Sequence, residues 1–411
     1  MARKARRLGV WLDRRKIAEL EQRRWPEIRC RYTEVALEAW ALNSPVLSCS
    51  LPLGETPLDA LAFCRGLLPE GQALQALAAR ANLAVNDTFE LLSRYGRDIA
   101  GALVISAEEP LERRLDVEAY TPARLAAALE ELEEFPLGVH DDSELSLAGL
   151  QDKLLLVDLG KGMWGRPLHG RPSTHILKAD DPRHAGLIRA EGLCLELARA
   201  AGLSAVEQRL EVIGDSEYLI LSRFDRATCD GAVRRIHQED LCQATGIDPD
   251  GNRGRAKYER GGGPSLRDLA GLLDTYALDP QAQLDRLVAA ITFTVLIGNA
   301  DAHGKNLALL HPTPQTVELA PLYDTVPTAL WPKLHADAAM AIGGQPSLPA
   351  ITASDIVREA RSWPHLADRA RAVVGRTAIA MRDAVEAEAI PPKSNVAEYV
   401  DERARQLLGG L

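Results

Sequence analysis

A polar loop directly follows the most apolar part of this sequence. Residues 281–297 have the length and apolar spacing of a buried helix. Five polar side chains fall within the next eight positions, 299–306: Asn299, Asp301, His303, Lys305 and Asn306. The apolar runs 307–310 and 317–320 predict a hairpin, and Asp324 follows the second strand. Phosphoryl transfer in a protein-kinase-like site requires this order of helix, polar loop, hairpin and second aspartate.

Asp301, Asn306 and Asp324 have the residue types that such a site needs. In the kinase pattern H-R-D-x-x-x-x-N the asparagine also lies five positions after the aspartate. The first aspartate accepts the substrate proton, and the asparagine and second aspartate supply the hard oxygen ligands that magnesium prefers. The flanking residues differ, since N-A precedes Asp301 and no D-F-G follows the hairpin. The alternative interpretation is an ordinary polar turn that caps a helix.

Candidate nucleotide-binding residues lie upstream in the order that a kinase requires. A loop of small residues around Ala148 and Gly149 precedes a predicted strand, and its backbone N–H groups can approach phosphates closely. Lys178 ends another predicted strand, and Glu191 follows thirteen residues later in a predicted helix. A strand lysine paired with a helix glutamate positions the α- and β-phosphates of ATP in kinases. A solvent-exposed lysine at a strand end is the simpler alternative.

Composition excludes several classes of protein. The chain has 411 residues and is 46% hydrophobic, which excludes a mostly disordered state. Its longest apolar run is shorter than the ~20 residues of a membrane-spanning helix, and its start has too few apolar residues for a signal peptide. Six scattered cysteines without metal-ligand spacing indicate reduced thiols and a cytoplasmic protein. The net charge of −10 argues against direct binding to DNA.

The succession of strand-like and helix-like segments along the sequence predicts three domains within an α+β, protein-kinase-like two-lobed fold. We expect an N-terminal subdomain at 1–110, a nucleotide-binding N-lobe with a mixed β-sheet at 111–240 and an all-helical catalytic C-lobe with one inserted hairpin at 241–411. Predicted strands include 45–51, 153–157, 173–178, 206–213 and 218–222. Predicted helices include two pieces of 56–81 separated by Pro69, and 190–201, 281–297, 351–363, 366–389 and 396–408.

Ordered blocks of sequence cover nearly the whole chain. They are V-W-L-D (10–13), S-L-P-L-G (50–54), L-L-S-R-Y-G-R-D-I-A-G-A-L (91–103), S-L-A-G-L-Q-D-K (146–153), T-H-I-L-K (174–178), R-F-D-R (223–226), Q-E-D-L-C-Q (238–243), K-Y-E-R-G-G-G-P-S (257–265), N-A-D-A-H-G-K-N (299–306) and L-A-P-L-Y-D (319–324). Together they resemble the HipA family of serine/threonine kinases, the toxins of type II toxin–antitoxin pairs.

The resemblance implies a role for each matched residue. Asp301 would be the catalytic base, and Asn306 and Asp324 would hold Mg²⁺. Ser146 matches the serine that family members autophosphorylate, and a dianionic phosphate there would repel the phosphates of ATP. The remaining matches imply contacts with ATP, with residues 238–241 cradling adenine: Ala148, Gly149, Gln151, Lys153, Lys178, Gln238, Glu239, Asp240, Leu241, His303 and Lys305.

Two features leave substrate choice open. Glu191 follows Ala190 where the family often has asparagine, and the segment 179–188 is short for a family activation loop. The basic stretch from Arg253 to Arg260 could contact ATP, substrate or the DNA backbone, or simply be a solvated loop.

The resemblance also implies partners. They are a small helix-turn-helix antitoxin and a protein substrate, such as the glutamyl member of the aminoacyl-tRNA synthetases, with DNA reached only through the antitoxin and no membrane contact. Two other functions remain open at this point: an antitoxin-binding transcriptional co-repressor with weak catalysis, and a kinase of small molecules such as aminoglycosides or lipids.

Overall fold

The computed structural model describes residues 5–110, 116–132, 137, 147, 153–229, 232–334, 336–365 and 369–411. Four of the predicted site residues, Ser146, Ala148, Gly149 and Gln151, lie outside the described residues.

The N-terminal subdomain is an antiparallel sheet covered by short helices. Its elements are β1 (Arg6–Leu12), β2 (Arg15–Gln22), β3 (Arg29–Tyr32), α1 (Glu34–Ala39), β4 (Leu58–Asp59), α2 (Leu61–Gly66), α3 (Gly71–Arg80), α4 (Thr88–Tyr95) and β5 (Val104–Ser106). The strand order is β4-β3-β2-β1-β5. Pro69 separates α2 from α3 as predicted, because proline cannot donate the hydrogen bond that would continue a helix.

A second sheet forms the N-lobe. Its elements are β6 (Val117–Ala119), α5 (Pro122–Glu130), β7 (Lys153–Asp158), β8 (Trp164–Pro167), β9 (His175–Ala179), α6 (Leu187–Ala200), β10 (Gln208–Ile213) and β11 (Ser216–Ser222), followed by the hairpin β12 (Arg226–Cys229) and β13 (Ala232–Arg235). The sheet order is β10-β11-β9-β7-β8-β6. Its named strands pair antiparallel, and an isolated bridge between Leu137 and Leu154 is parallel.

The two faces of this second sheet have different partners. Leu154, Leu156 and Leu177 pack with α5 on one face, whereas Leu219 and Leu221 pack with α6 on the other. Lys153 lies directly opposite Lys178 in the β7–β9 pairing. Because side chains alternate along a strand, both lysines belong to the face that α6 covers.

The C-lobe is built around a central apolar helix. Its elements are β14 (His237–Asp240), α7 (Leu241–Thr245), α8 (Gly251–Gly254), α9 (Leu266–Tyr276), α10 (Pro280–Ile297), β15 (Ala308–Thr313), β16 (Thr316–Leu319), β17 (Asp337–Ile342), β18 (Gln345–Ser347), α11 (Ala353–Arg361), α12 (Ala370–Glu386) and α13 (Asn395–Gly409). Helix α10 is buried against α9, α12 and α13 in the largest apolar core. The predicted hairpin is β15–β16, and β14 joins its outer edge.

Several elements differ from their predictions. Residues 45–51 are not a strand but a loop with one isolated bridge, Ser48 to Leu51. The hairpin β17–β18 adds strands to a lobe predicted to have one hairpin, since its short strands carry a weak alternation signal. The strand predicted at 206–213 begins at Gln208.

A buried ion network joins the N-terminal subdomain to the N-lobe. Asp98 accepts hydrogen bonds from the Ser173 hydroxyl at 2.7 Å and from Arg226 at 2.9 Å. The Arg223 guanidinium contacts both oxygens of Asp225, at 2.9 and 2.8 Å. Arg223 also donates to the carbonyl of Ile99. The R-F-D-R block therefore attaches the two domains to each other.

Candidate active site

Lys178 connects the two lobes. Strand β9 ends beside α6, and Lys178 Nζ lies 2.7 Å from Glu191 Oε1 and 2.7 Å from Asp324 Oδ1. Glu191 is fully buried, and burial raises the pKa of its carboxyl group. Burial alone would lower the pKa of Lys178, but Asp324 and Glu191 hold it above its ordinary value. The lysine is therefore charged, and the strand-lysine and helix-glutamate pair has the kinase arrangement.

Asp324 is a charged carboxylate in a strained backbone position. Although burial opposes ionisation, the ion pair with Lys178 lowers the pKa of Asp324 to about 2. Its φ of 53° is left-handed, which costs a non-glycine residue of the order of 1 kcal/mol. Lys178 donates to Oδ1, and no hydrogen bond to Asp324 Oδ2 comes from the described part of the chain.

Lys153 lies across the strand pair from Lys178. Burial, together with the neighbouring Lys178 ammonium, lowers the pKa of Lys153 to about 8 from its ordinary value of 10.5. Two opposed lysines thus present ammonium donors on one buried sheet face, with Glu191 and Asp324 balancing the charge of Lys178. Phosphate oxygens are the class of acceptor that such donors favour.

The loop after α10 is held by its own amide side chains. Gly298 ends the helix with a φ of 73°, and a Cβ there would lie 2.7 Å from both Ala329 and Tyr399. The Asn299 side chain accepts a hydrogen bond from Asp301 N at 2.9 Å. The Asn306 side-chain nitrogen donates to the Asp301 carbonyl at 2.9 Å. That donation leaves the Asn306 side-chain oxygen for another partner.

The structure brings the aspartates of the site near one another around His303. The charges of Asp301 and Asp324 both act on the His303 imidazole, whose pKa burial lowers. Asn299 Nδ2 also donates to the Asp324 carbonyl at 3.5 Å, which links the loop to the residue after the hairpin.

Lys305 and His303 make structural contacts. Lys305 Nζ lies 3.0 Å from Asp240 Oδ2, 3.9 Å from Glu70 Oε1 and 3.3 Å from the Gly66 carbonyl. His303 Nδ1 accepts a hydrogen bond from Lys305 N at 3.3 Å. The predicted contact of these two side chains with ATP stays a prediction.

Residues 238–241 connect the lobes and contact the N-terminal subdomain. Glu239 is buried and accepts hydrogen bonds from the Cys49 N–H at 2.9 Å, from the Ser48 hydroxyl and from His311. Asp240 caps α7, and Leu241 N donates to the carbonyls of Gly304 and Leu307, both at 2.9 Å. The Glu239 side chain therefore binds the N-terminal subdomain. The backbone of Gln238 pairs with that of Leu310 in the β14–β15 pairing.

Two residues of the site were missed by the sequence analysis. Glu70 lies 2.8 Å from Lys257 Nζ, and the Tyr258 hydroxyl lies 2.7 Å from Asp301 Oδ1. Tyr258 and Lys257 belong to the quoted K-Y-E-R block, which was the available signal. Glu70 gave no sequence signal, because its partners Lys257 and Lys305 lie more than 180 residues further along the chain. The nearby Arg253, Arg255 and Arg260 are exposed, as a solvated loop predicts.

Five cysteines are buried and free. Cys30, Cys49, Cys64, Cys194 and Cys242 make no disulfide among the residues described, and burial raises the pKa of each thiol. Among the described helices, none combines the length and hydropathy of a bilayer span.

The fold and the site define a protein kinase: a strand lysine paired with a helix glutamate faces an aspartate from the end of a hairpin, beside an aspartate–asparagine loop. The family models of the HipA N-terminal domain and the HipA-like C-terminal domain match residues 8–106 and 145–390. The chain belongs to the HipA family of serine/threonine kinases.

Similar proteins agree with this assignment. The Sinorhizobium fredii protein Y4mE, which carries a kinase name, is 36% identical over 352 residues, 83% of this chain and 82% of that protein. The serine/threonine-protein kinase toxin HipA of Shewanella oneidensis is 29% identical over 318 residues, 74% of this chain and 71% of that protein. A solved structure of Shewanella oneidensis HipA with HipB and its operator DNA matches with a TM-score of 0.81 and 26% identity, covering 98% of this chain and 96% of that one.

Proposed function

We propose that this protein transfers the γ-phosphate of ATP to serine or threonine hydroxyls in a magnesium-dependent reaction, as the growth-inhibiting toxin of a toxin–antitoxin pair. The observation that carries the proposal is Lys178, which contacts Glu191 and Asp324 at 2.7 Å each. This contact assembles residues from β9, α6 and the loop after β16 around one charge. Kinases need the lysine–glutamate ion pair and a metal-binding aspartate in place together, and Lys178 touches both carboxylates.

The residues present fit a magnesium ion. Asp324 is ionised and has a second carboxylate oxygen, and Asn306 is oriented by its N–H donation so that its side-chain oxygen is available. Both are hard oxygen donors of the kind magnesium prefers. When bound, the metal would neutralise charge that develops on the transferred phosphate. Lys178 and Lys153 would hold the phosphates on the sheet side.

Asp301 would receive the proton of the acceptor hydroxyl. Its main chain is held by hydrogen bonds with the side chains of Asn299 and Asn306, which supports a fixed loop for the proposed base. General-base positioning of this kind contributes roughly 10²–10⁴-fold to a rate. Residues 238–241 would supply the adenine-binding backbone, and Ser146, Ala148, Gly149 and Gln151 would form the phosphate loop.

We propose Ser146 as an autophosphorylation site that switches the enzyme off. Its phosphate would compete with ATP for the same loop through charge repulsion. We also propose domain boundaries near residues 110 and 240. A cytoplasmic location is part of the proposal as well, and the buried free thiols support it.

The proposed partner is a small helix-turn-helix antitoxin. The matched solved structure contains HipA with HipB and operator DNA. A net charge of −10 disfavours independent DNA binding by this chain, so DNA contact would pass through the antitoxin. An aminoacyl-tRNA synthetase is the proposed substrate. A gel shift in which this chain alone binds operator DNA tightly would contradict this division of roles.

Purified protein with magnesium and labelled ATP tests the proposal. The wild-type chain should incorporate label into itself or a protein acceptor, and Asp301→Ala should abolish incorporation while ATP still binds. Equal labelling of both proteins would overturn the assignment of Asp301, and transfer to an aminoglycoside in place of protein would favour a small-molecule kinase.

A further inference from the structure

Tyr258 touches the proposed catalytic base. Its hydroxyl donates a hydrogen bond to Asp301 Oδ1 at 2.7 Å. The Tyr258 ring packs edge-on against His303, with ring centroids 5.1 Å apart and an interplanar angle of 88°. Among the described residues, Tyr258 is the one hydrogen-bond donor to the Asp301 carboxylate. The carboxylate orientation therefore depends on a residue from a separate loop.

The loop that carries Tyr258 is tightly folded. The Tyr258 carbonyl accepts hydrogen bonds from Gly261 N at 2.8 Å and Gly263 N at 3.0 Å. A Cβ on Gly261 would lie 1.9 Å from the Arg255 carbonyl oxygen, and one on Gly263 would lie 2.5 Å from the Ala256 carbonyl oxygen. The glycines of the K-Y-E-R-G-G-G block are thus required for close backbone packing around Tyr258.

The neighbouring residue ties this loop to two other parts of the molecule. The Lys257 carbonyl accepts a hydrogen bond from Gly304 N at 2.9 Å, inside the catalytic loop. Lys257 Nζ lies 2.8 Å from Glu70 Oε2, in the N-terminal subdomain. Glu70 keeps a pKa below its ordinary value despite burial, because Lys305 and Lys257 both stabilise its charge. The position of Tyr258 is fixed from both sides.

We infer that Tyr258 is a positioning residue for phosphoryl transfer, which holds the Asp301 carboxylate through Oδ1 and leaves Oδ2 to receive the acceptor proton. This inference rests on the proposed function. A carboxylate on a rotatable bond loses orientation without such a partner, and orientation of a catalytic group contributes strongly to rate. The opposite role, in which the hydroxyl blocks the acceptor position until the loop withdraws, fits less well with a loop anchored to Gly304 and Glu70.

Steady-state kinetics of Tyr258→Phe tests the inference, because phenylalanine keeps the ring that packs on His303. We expect kcat to fall roughly tenfold, the effect of losing one hydrogen bond to a charged group, with the KM for ATP unchanged. Tyr120→Phe is the matched control, since the Tyr120 hydroxyl has no hydrogen-bond partner among the described residues. An unchanged kcat would overturn the inference, and an increased kcat would show a blocking role instead.

Thermal unfolding gives a readout that does not depend on activity. In a double-mutant cycle of Tyr258→Phe and Asp301→Ala, the combined change in Tm should be smaller than the sum of the single changes. If the Tm changes are additive and the wild-type protein is an active kinase, the inference is overturned and the proposed function stands. If the Tm changes are non-additive and the wild-type protein transfers no phosphate, the proposed function is overturned and only the contact between Tyr258 and Asp301 stands.

Discussion

The charge on Lys178 depends on two carboxylates from different parts of the chain. Glu191 is fully buried and has Lys178 as its hydrogen-bond donor, whereas Asp324 is partly open to solvent. A buried ion pair contributes little net stability compared with an apolar pair, but removal of one partner leaves an uncompensated buried charge. Stability and activity therefore respond differently to substitutions in this group.

Lys178→Met should lower the free energy of unfolding by roughly 3–5 kcal/mol, because Glu191 then loses its counter-charge. Lys178→Met combined with Glu191→Leu should recover most of this stability without recovering phosphoryl transfer. Urea unfolding and labelled-ATP transfer measure the two properties separately. Activity in the stable double variant would show that Lys178 serves only the fold.

Lys153 should take up a proton when ATP binds. With a folded pKa of about 8, below its ordinary value of 10.5, Lys153 in the free protein is largely neutral at about pH 9. Anionic phosphates nearby stabilise the ammonium form and raise its pKa, so binding in this pH window draws a proton from the buffer.

Calorimetry of ATP binding in buffers of different ionisation enthalpy measures this uptake. The apparent binding enthalpy of the wild-type protein should depend on the buffer at about pH 9, and that of Lys153→Met should depend on it much less. A wild-type enthalpy independent of buffer would show that Lys153 lies outside the phosphate site.

At the scale of single residues, the sequence predicts those side chains whose role follows from spacing within one segment. Five site residues follow one another along the chain in a recognisable order, and the structure groups them: Lys178, Glu191, Asp301, Asn306 and Asp324. Tyr258 and Glu70 could not be assigned, because their roles exist only through contacts between distant segments.

At the scale of elements, several motif segments of the kinase domain are completed by the N-terminal subdomain. Asp98 joins the arginines of the R-F-D-R block, Ser48 and Cys49 bind Glu239, and Glu70 pairs with Lys257. The loop at 45–51 was predicted to be a strand from its apolar residues. In the structure, the Cys49 N–H and the Ser48 hydroxyl instead donate hydrogen bonds to the buried Glu239 carboxylate. Such contacts cannot be predicted from β-propensity.

Glu70→Gln should destabilise the protein by about 3 kcal/mol and lower kcat, because Lys257 and Lys305 lose a shared counter-charge. Glu70→Gln with Lys257→Met should be more stable than Glu70→Gln alone, since the double variant removes the Lys257 ammonium that has lost its counter-charge, whereas Lys305 keeps Asp240. Urea unfolding of the three proteins tests this, with the exposed Glu55→Gln as control. A double variant less stable than the single one would contradict the proposed charge balance.

At the scale of the whole molecule, the N-terminal subdomain and the two lobes form one structural unit. The fold class was predicted correctly because helix and strand periodicities are strong in the long segments, most clearly in α10. The contacts between domains were not predicted, since buried arginines and carboxylates have the same appearance in sequence as exposed ones. Arg223 and Asp225 are both buried.

Residues 107–411 expressed without the N-terminal subdomain should therefore fail to fold cooperatively, because Arg223, Arg226 and Glu239 lose buried partners. Co-expression with residues 1–106 as a separate chain should restore soluble protein. Size-exclusion chromatography and thermal unfolding provide the measurement. A stable, soluble fragment 107–411 would show that the two parts fold independently.

Mass spectrometry of the purified chain, incubated with magnesium and ATP, is the most direct test of serine or threonine phosphorylation by means of Asp301. We expect phosphate on Ser146 in the wild-type protein and none in Asp301→Ala. Phosphate on Ser146 of both proteins would contradict the role of Asp301, and no phosphorylated serine or threonine on the chain or on any protein incubated with it would contradict the kinase activity.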